Sequence, residues 1–278
     1  MSVRLFFLTV LSMLCFAANS LLCRLALKVP GNDPASFTVI RLVSGALILL
    51  FFFFKNGPLG RFELTKKSLL PPIILFFYAF FFSLSYVQIS AGTGALILFA
   101  CVQLTMIVFA LIRGQKLSRR EKYGFAIASL GFIYLLWPGL QRPPALSAVF
   151  MILSGLSWGL YSLIGATEKD PVFATARNFI FTIPILIIII ILKPLILTSE
   201  GYKWAILSGS ITSGLGYVVW YKVLKDLKTS TAAIIQLSVP ALTALGGALF
   251  LSELLTLRLA IASVVIFSGI FIKISSLR

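Results

Sequence analysis

The chain is a succession of apolar runs, each near the length that crosses a bilayer, separated by short connectors of charged residues, proline and glycine. Ten such runs are read: Leu5 to Cys23, Ala35 to Phe54, Leu69 to Ile89, Thr93 to Ile112, Tyr123 to Trp137, Leu146 to Gly165, Val172 to Leu192, Trp204 to Leu224, Thr231 to Leu251 and Leu257 to Ile274. A helical crossing takes about 20 apolar residues, and in hydrocarbon every backbone amide must be satisfied within its segment or in a closed barrel. Runs such as Ile185 to Leu192 do not alternate polar and apolar as barrel strands do. The expected class is therefore an all-α integral membrane protein of ten transmembrane helices, with no room for a soluble domain. Composition agrees, because a chain of 278 residues that is 59% apolar and 12% charged cannot cover a water-facing surface.

Arg4 followed by an apolar stretch has the outline of a signal peptide. The run is longer than a usual signal core, and apolar residues continue beyond Ala18-Asn19-Ser20, so it is read as an uncleaved first span.

A formal charge of +16 would suggest a nucleic-acid partner in a soluble protein. No basic face with interleaved aromatics is present, and the basic residues sit in connectors, so no nucleic-acid binding is expected and the charge reports topology. Sixteen Lys and Arg fall on the side of the amino terminus, from Arg4 through Arg113–Lys122 to Arg278. Six fall on the other side, Arg24, Lys28, Arg142, Lys193, Lys203 and Arg258. That bias places both termini in the cytoplasm.

Sliding the chain by 138 residues sets Thr93 to Gly131 on Thr231 to Gly269 without a gap, with ten of 39 positions identical, Thr105/Thr243, Arg120/Arg258 and Gly131/Gly269 among them. A shift of 142 sets Leu11-Ser12 and Ser20-Leu21 on Leu153-Ser154 and Ser162-Leu163. The chain thus reads as two five-helix repeats, residues 1–138 and 139–278, and an odd number of spans gives them opposite orientations. The connector Arg113 to Lys122 carries five basic residues and its partner Leu251 to Ala260 carries one, as inversion requires. Inverted repeats recur in secondary transporters, with the substrate near the midplane where the halves meet.

The second half carries Gly216-Tyr217-Val218-Val219-Trp220-Tyr221, then Ser230-Thr231-Ala232-Ala233, Leu237-Ser238-Val239-Pro240, Leu251-Ser252-Glu253 and Gly269. In these residues the chain resembles the EamA-type ten-helix exporters of the drug/metabolite transporter superfamily. Ser90-Ala91-Gly92-Thr93 and Gly114-Gln115 are weaker copies in the first half. The chain departs from the pattern at Gln115, where Glu is usual, and at Ser252, where Gly is usual. The resemblance implies export across a bacterial inner membrane by a multi-pass protein. The cargo in such a family ranges over amino acids, other metabolites and drugs, so metabolite export has multidrug or lipid-type efflux as its alternative.

Polar side chains deep in a span are costly and tend to face an interior path. Asn19 and Tyr161 match under the 142 shift, as do Phe16 and Trp158, giving each half an aromatic beside a hydrogen-bonding group. They either line a central cavity or pack helix against helix. Tyr78, Tyr86, Gln103, Tyr217, Trp220 and Gln236 are further candidates for a polar and aromatic substrate lining. Arg41 lies on the order of 10 Å into its span, and Arg177 enters similarly from the opposite face, with no carboxylate deep in any span to neutralise either. They snorkel to a headgroup, bond backbone carbonyls or attract a substrate carboxylate. Gly155-x-x-x-Gly159 and Ser210-x-x-x-Gly214 mark close helix contacts, and Pro240 is a candidate hinge or a static kink.

No histidine is present, Cys15, Cys23 and Cys101 have neither disulfide nor metal spacing, and the eight carboxylates lie in connectors or at span ends. No enzyme, cofactor or metal is therefore expected. Proton coupling is left only Glu168 or Asp170 at a span boundary, while facilitated diffusion or exchange needs fewer assumptions. The expected partners are a small-molecule substrate and the lipid bilayer, the chain acting as a monomer or homodimer.

Overall fold

The computed structural model describes residues 2–56, 66–112, 114, 119–137, 139, 142–168, 170–227, 235–236 and 238–275, and the regular structure among them is helical. In chain order the helices are α1 (Val3–Leu27), α2 (Pro34–Asn56), α3 (Lys66–Tyr86), α4 (Ala91–Ile112), α5 (Arg119–Leu136), α6 (Ala145–Gly165), α7 (Pro171–Ile180), α8 (Ile183–Leu192), α9 (Ser199–Leu207), a π-helical segment (Ser208–Leu215), α10 (Gly216–Asp226), α11 (Ser238–Leu251) and α12 (Leu257–Ser275). Six segments are long and apolar enough to cross a membrane: Val3–Leu27, Pro34–Phe51, Ser68–Tyr86, Ala91–Phe109, Ala145–Gly165 and Val172–Leu192. Lys122–Leu136, Ser238–Leu251 and Leu257–Gly269 are apolar but shorter. The protein is a multi-pass, all-α membrane fold.

Helix starts follow local chemistry. The Ser2 hydroxyl accepts from the Leu5 amide at 3.2 Å, Asp33 accepts from the Ser36 amide at 2.8 Å, and Asp170 accepts from the Val172 and Phe173 amides at 3.0 and 3.1 Å. Each satisfies donors that have no intrahelical partner. Pro34 and Pro171 open α2 and α7, where a missing N–H removes no bond.

Among the described residues, two of the ten expected spans are not plain α-helices. The run Val172 to Leu192 is divided between α7 and α8 at Phe181-Thr182. Pro184 has no N–H to offer the Ile180 carbonyl, and the Thr182 hydroxyl instead donates to Phe179 O at 2.7 Å. The eighth span begins earlier than expected, at Ser199, and carries the π segment at its centre.

Close approaches sit where side chains vanish. A Cβ on Gly155 would lie 2.6 Å from Cys101 Cβ and 2.7 Å from Leu98 O, and one on Gly159 would lie 2.8 Å from Thr105 Cβ, so α6 beds onto α4 through both glycines. In the eighth span Gly214 closes on α2 as expected, where an added Cβ would lie 3.0 Å from Ile48 Cγ2 and 3.4 Å from Gly45 O, and Gly209 comes closer still. A Cβ on Gly209 would collide with the Arg41 carbonyl, whereas Ser210 turns back to donate to Ile206 O at 2.6 Å.

Packing runs across the two halves of the sequence. The helix α3 lies on α6, as α1 lies on α9, the π segment and α10; α4 lies on α6, as α11 lies on α1; α2 contacts the π segment, as α3 contacts α7. The most extensive pairing is α5 with α12. Gly114 and Ser252, 138 positions apart, both have left-handed backbone, with φ of +80° and +54°. This conformation is free for glycine and costly for a residue with a Cβ, which explains why glycine is the expected residue where this chain has Ser252.

Candidate functional site

The helix α1 serves as a ruler through the molecule. Near its start, Arg4, Leu5 and Leu8 face a vestibule of about 580 Å³ completed by Asp170, Lys222 and Lys225. Near its end, Arg24 faces a second vestibule of about 350 Å³ with Gln88, Arg142 and Glu253. Arg4 and Arg24 are about 30 Å apart along a helix that rises 1.5 Å per residue, so the vestibules open at opposite ends. Between them Phe16, Asn19, Tyr78, Phe82 and Trp158 surround a cavity of about 10 Å³, room for one water at most.

Aromatic rings close this midpoint. Trp158 lies 4.7 Å from Tyr217, 4.8 Å from Tyr78, and 5.6 Å from both Phe16 and Tyr161, measured between ring centroids. Phe16 also meets Trp220 at 5.5 Å. The matched pair Phe16 and Trp158 therefore touch, edge to face, as do other rings of this kind in cores.

A polar network runs beside the rings. Asn19 Oδ1 accepts from Ser208, Thr212 and Ser213 at 2.7, 3.2 and 3.3 Å, and its Nδ2 donates to Tyr78 Oη at 3.4 Å. In an α-helix a residue five positions on is turned about 140° away. The wider π turn, bonded i to i+5, brings Ser208, Thr212 and Ser213 onto one face. Arg41 Nε donates to Ser213 at 3.0 Å, and its NH2 donates to Tyr217 at 2.9 Å and Tyr78 at 3.4 Å. The Tyr217 hydroxyl donates in turn to Tyr78 at 3.2 Å. The guanidinium sits 5.0 and 5.3 Å from the ring centroids of Phe82 and Tyr78.

Arg41 is 1% exposed, so it does not snorkel. Its NH1 is buried with no hydrogen-bond partner, and no carboxylate pairs with it among the described residues. Arg177 is different: its NH2 meets Glu168 Oε1 at 2.7 Å, and both its NH2 and Nε reach Asn178 Oδ1 at 3.4 Å. No carboxylate from within a span answers either arginine among the described residues, and Arg177 is answered from outside its span, because the chain between α6 and α7 turns Glu168 back over it.

The remaining candidates divide. Tyr161 joins the cluster through Trp158, accepts from Asn178 Nδ2 at 3.2 Å and stacks on Tyr221 at 5.8 Å. Tyr86 stands apart, donating to Ala91 O at 3.3 Å and packing edge-on against Phe82 at 4.6 Å. Gln103 faces a separate pocket of about 10 Å³ between α4, α5 and α12. Gln236 is buried just ahead of α11. The mid-helix break expected at Pro240 turns on residues 228–234 and 237, which lie outside the described residues, as do Ser230 to Ala233 and Gln115. Ser208, Thr212, Ser213, Phe82 and Asn178 are site residues that sequence reading missed. The in-span run of hydroxyls from Ser208 to Ser213 was the available signal, but its five-residue spacing looks off-face until the π turn is known.

A second ion pair lines the far vestibule. Arg24 Nε meets Glu253 Oε1 at 3.1 Å while its NH1 donates to Tyr86 O and Val87 O, and Glu253 Oε2 accepts from the Ala91 amide at 2.8 Å.

Residues 145–275 match the EamA-like transporter family. An uncharacterized protein of Pseudomonas aeruginosa is 44% identical over 96% of this chain and 93% of its own. The chain belongs to the EamA-like transporter family. A Salmonella typhimurium protein described as a probable amino-acid metabolite efflux pump is 24% identical over 72% of this chain and 73% of its own. A crystal structure 16% identical in sequence superposes with a TM-score of 0.70 over 97% of both chains, which establishes a shared fold. The protein is thus a membrane transporter of small molecules and not an enzyme.

Proposed function

We propose that the chain exports small metabolites, amino acids among them, by alternating access through the midpoint between α1, α3, α6, the π segment and α10. The observation that carries this reading is the ring-sealed centre flanked by a vestibule at each end of α1. A route closed at its midpoint and open toward both faces is what rocking of one bundle against another would convert into exposure to one side at a time. The ten spans form two inverted repeats, residues 1–138 and 139–278. Reciprocal packing of the halves, the shared left-handed backbone at Gly114 and Ser252, and the bond between Tyr78 and Tyr217 in corresponding third and eighth spans support that symmetry. The charge bias supports an inner membrane location with both termini cytoplasmic. Amino acids as cargo rest on the Salmonella relative.

The test is efflux from proteoliposomes against a panel of amino acids and cationic drugs. Trp158→Ala and Tyr161→Ala are each expected to cut transport about tenfold while membrane yield stays near that of the unaltered protein. Unchanged rates in both would show that the rings only pack. Transport of drugs without amino acids would favour multidrug efflux. Reporter fusions after Gln115 and Lys228 are expected on the cytoplasmic side and one after Gln141 outside.

A further inference from the structure

Five of the described carboxylates are already engaged, and Asp226 lines the vestibule near the start of α1. Asp33 pairs with Lys193, Glu168 with Arg177, Glu253 with Arg24 and Glu200 with Lys203, while Asp170 caps α7. Arg41 alone among the in-span arginines holds its charge against neutral oxygens only, those of Ser213, Tyr217 and Tyr78. A guanidinium is not deprotonated in proteins, so this buried site keeps a full positive charge that burial disfavours and no counter-ion offsets. Its NH1 is the one guanidinium nitrogen left without an acceptor. The rings of Tyr78 and Phe82, which the guanidinium overlies, are also walls of the midpoint cavity, and Phe16 and Trp158 complete an apolar surface beside it.

Resting on the transport reading above, we infer that the cargo at this midpoint is a monocarboxylate carrying an apolar or aromatic body, held by its carboxylate on Arg41, and that a plain organic acid anion is preferred over the zwitterionic amino acid of the same skeleton. One negative charge neutralises the site. A zwitterion brings an ammonium along with its carboxylate, leaves the site with net positive charge, and finds no carboxylate in the network to receive that ammonium. Hydrogen bonds to charged groups are the strong ones, and a charged partner left without its counterpart is penalised most. Tyr78 and Tyr217 act as place-holders, occupying the guanidinium when cargo is absent and moving aside when the carboxylate arrives.

Three probes of one skeleton separate charge from shape: 3-phenylpropanoate, phenylalanine and 3-phenylpropanamide. Uptake into proteoliposomes at neutral pH is measured above that of protein-free vesicles, for the unaltered protein, Arg41→Gln and Arg41→Lys. The unaltered protein is expected to move the anion roughly tenfold or more faster than the amide, with phenylalanine between. Arg41→Gln should erase that ranking, and Arg41→Lys should keep part of it, because a point charge remains without the planar fork. The unaltered protein's ranking decides even where Arg41→Gln fails to insert. Phenylalanine or the amide moving as fast as the anion overturns the inference and leaves the transport reading intact. So does retention of the ranking in Arg41→Gln, which would make Arg41 a clamp between α2 and α10 and nothing more. Transport of amino acids with none of the aromatic probes also overturns it. Absence of transport of both panels overturns the transport reading itself.

Discussion

Arg41 and Arg177 look alike in the sequence, each a lone cation several residues into an apolar run, and the fold gives them opposite surroundings. Arg177 sits near a face, with its side chain 12% exposed, and is answered at 2.7 Å by Glu168 nine residues earlier. Arg41 lies at the midpoint, walled by rings, and is answered only by hydroxyls from three other elements. Depth separates them, and so does the presence of a carboxylate. A paired charge holds a connector to a helix end, whereas an unpaired one in a sealed centre has capacity left for a ligand.

The largest expected difference between the two is in transport. Arg41→Gln should lower uptake of carboxylated cargo by about tenfold or more, while Arg177→Gln should change it by no more than about threefold, measured as initial rates in matched proteoliposomes. Equal losses would break the contrast. In stability the order should reverse for their partners. Glu168→Gln strands a half-buried guanidinium and should cost roughly 1–2 kcal/mol, and adding Arg177→Met to it should restore most of that loss in thermal unfolding. Arg24 extends the comparison to a third arginine, through the turn that aims Glu253 at it. Ser252→Gly relieves the +54° backbone there and should stabilise the protein by about 0.5–1 kcal/mol without altering cargo preference.

The smallest effect concerns Asp33, which ties the α1–α2 connector to the α8–α9 connector. Burial alone would raise its carboxyl, but the Lys193 ammonium at 2.6 Å and the Ser36 amide and hydroxyl outweigh burial and hold it below the usual aspartate range. A depressed folded value means that the tie is fully present above the unfolded value of about 3.9 and is lost as pH falls through the folded one. Amide exchange across residues 193–198 should therefore quicken only below about pH 4. In Asp33→Asn it should be quick at neutral pH as well.

Part of this was legible in the sequence. Hydropathy marked the six segments long and apolar enough to cross a membrane, and Phe16 and Trp158, matched by the 142-residue shift, touch at the centre. What escaped were features that depend on a broken helical period. Pro184 splits the seventh span and the π segment rotates Ser213 onto Arg41, and neither is visible to a count based on 3.6 residues per turn. The pairing of Arg177 escaped for another reason, since Glu168 lies outside the apolar run and reaches in only through the fold.

A structure determined with 3-phenylpropanoate bound tests the role of Arg41 most directly. The carboxylate is expected against Arg41 NH1 and the phenyl ring against Trp158, with Tyr78 and Tyr217 drawn away from the guanidinium. A ligand seated in either vestibule, with Arg41 still bonded to Ser213, Tyr217 and Tyr78, would contradict it.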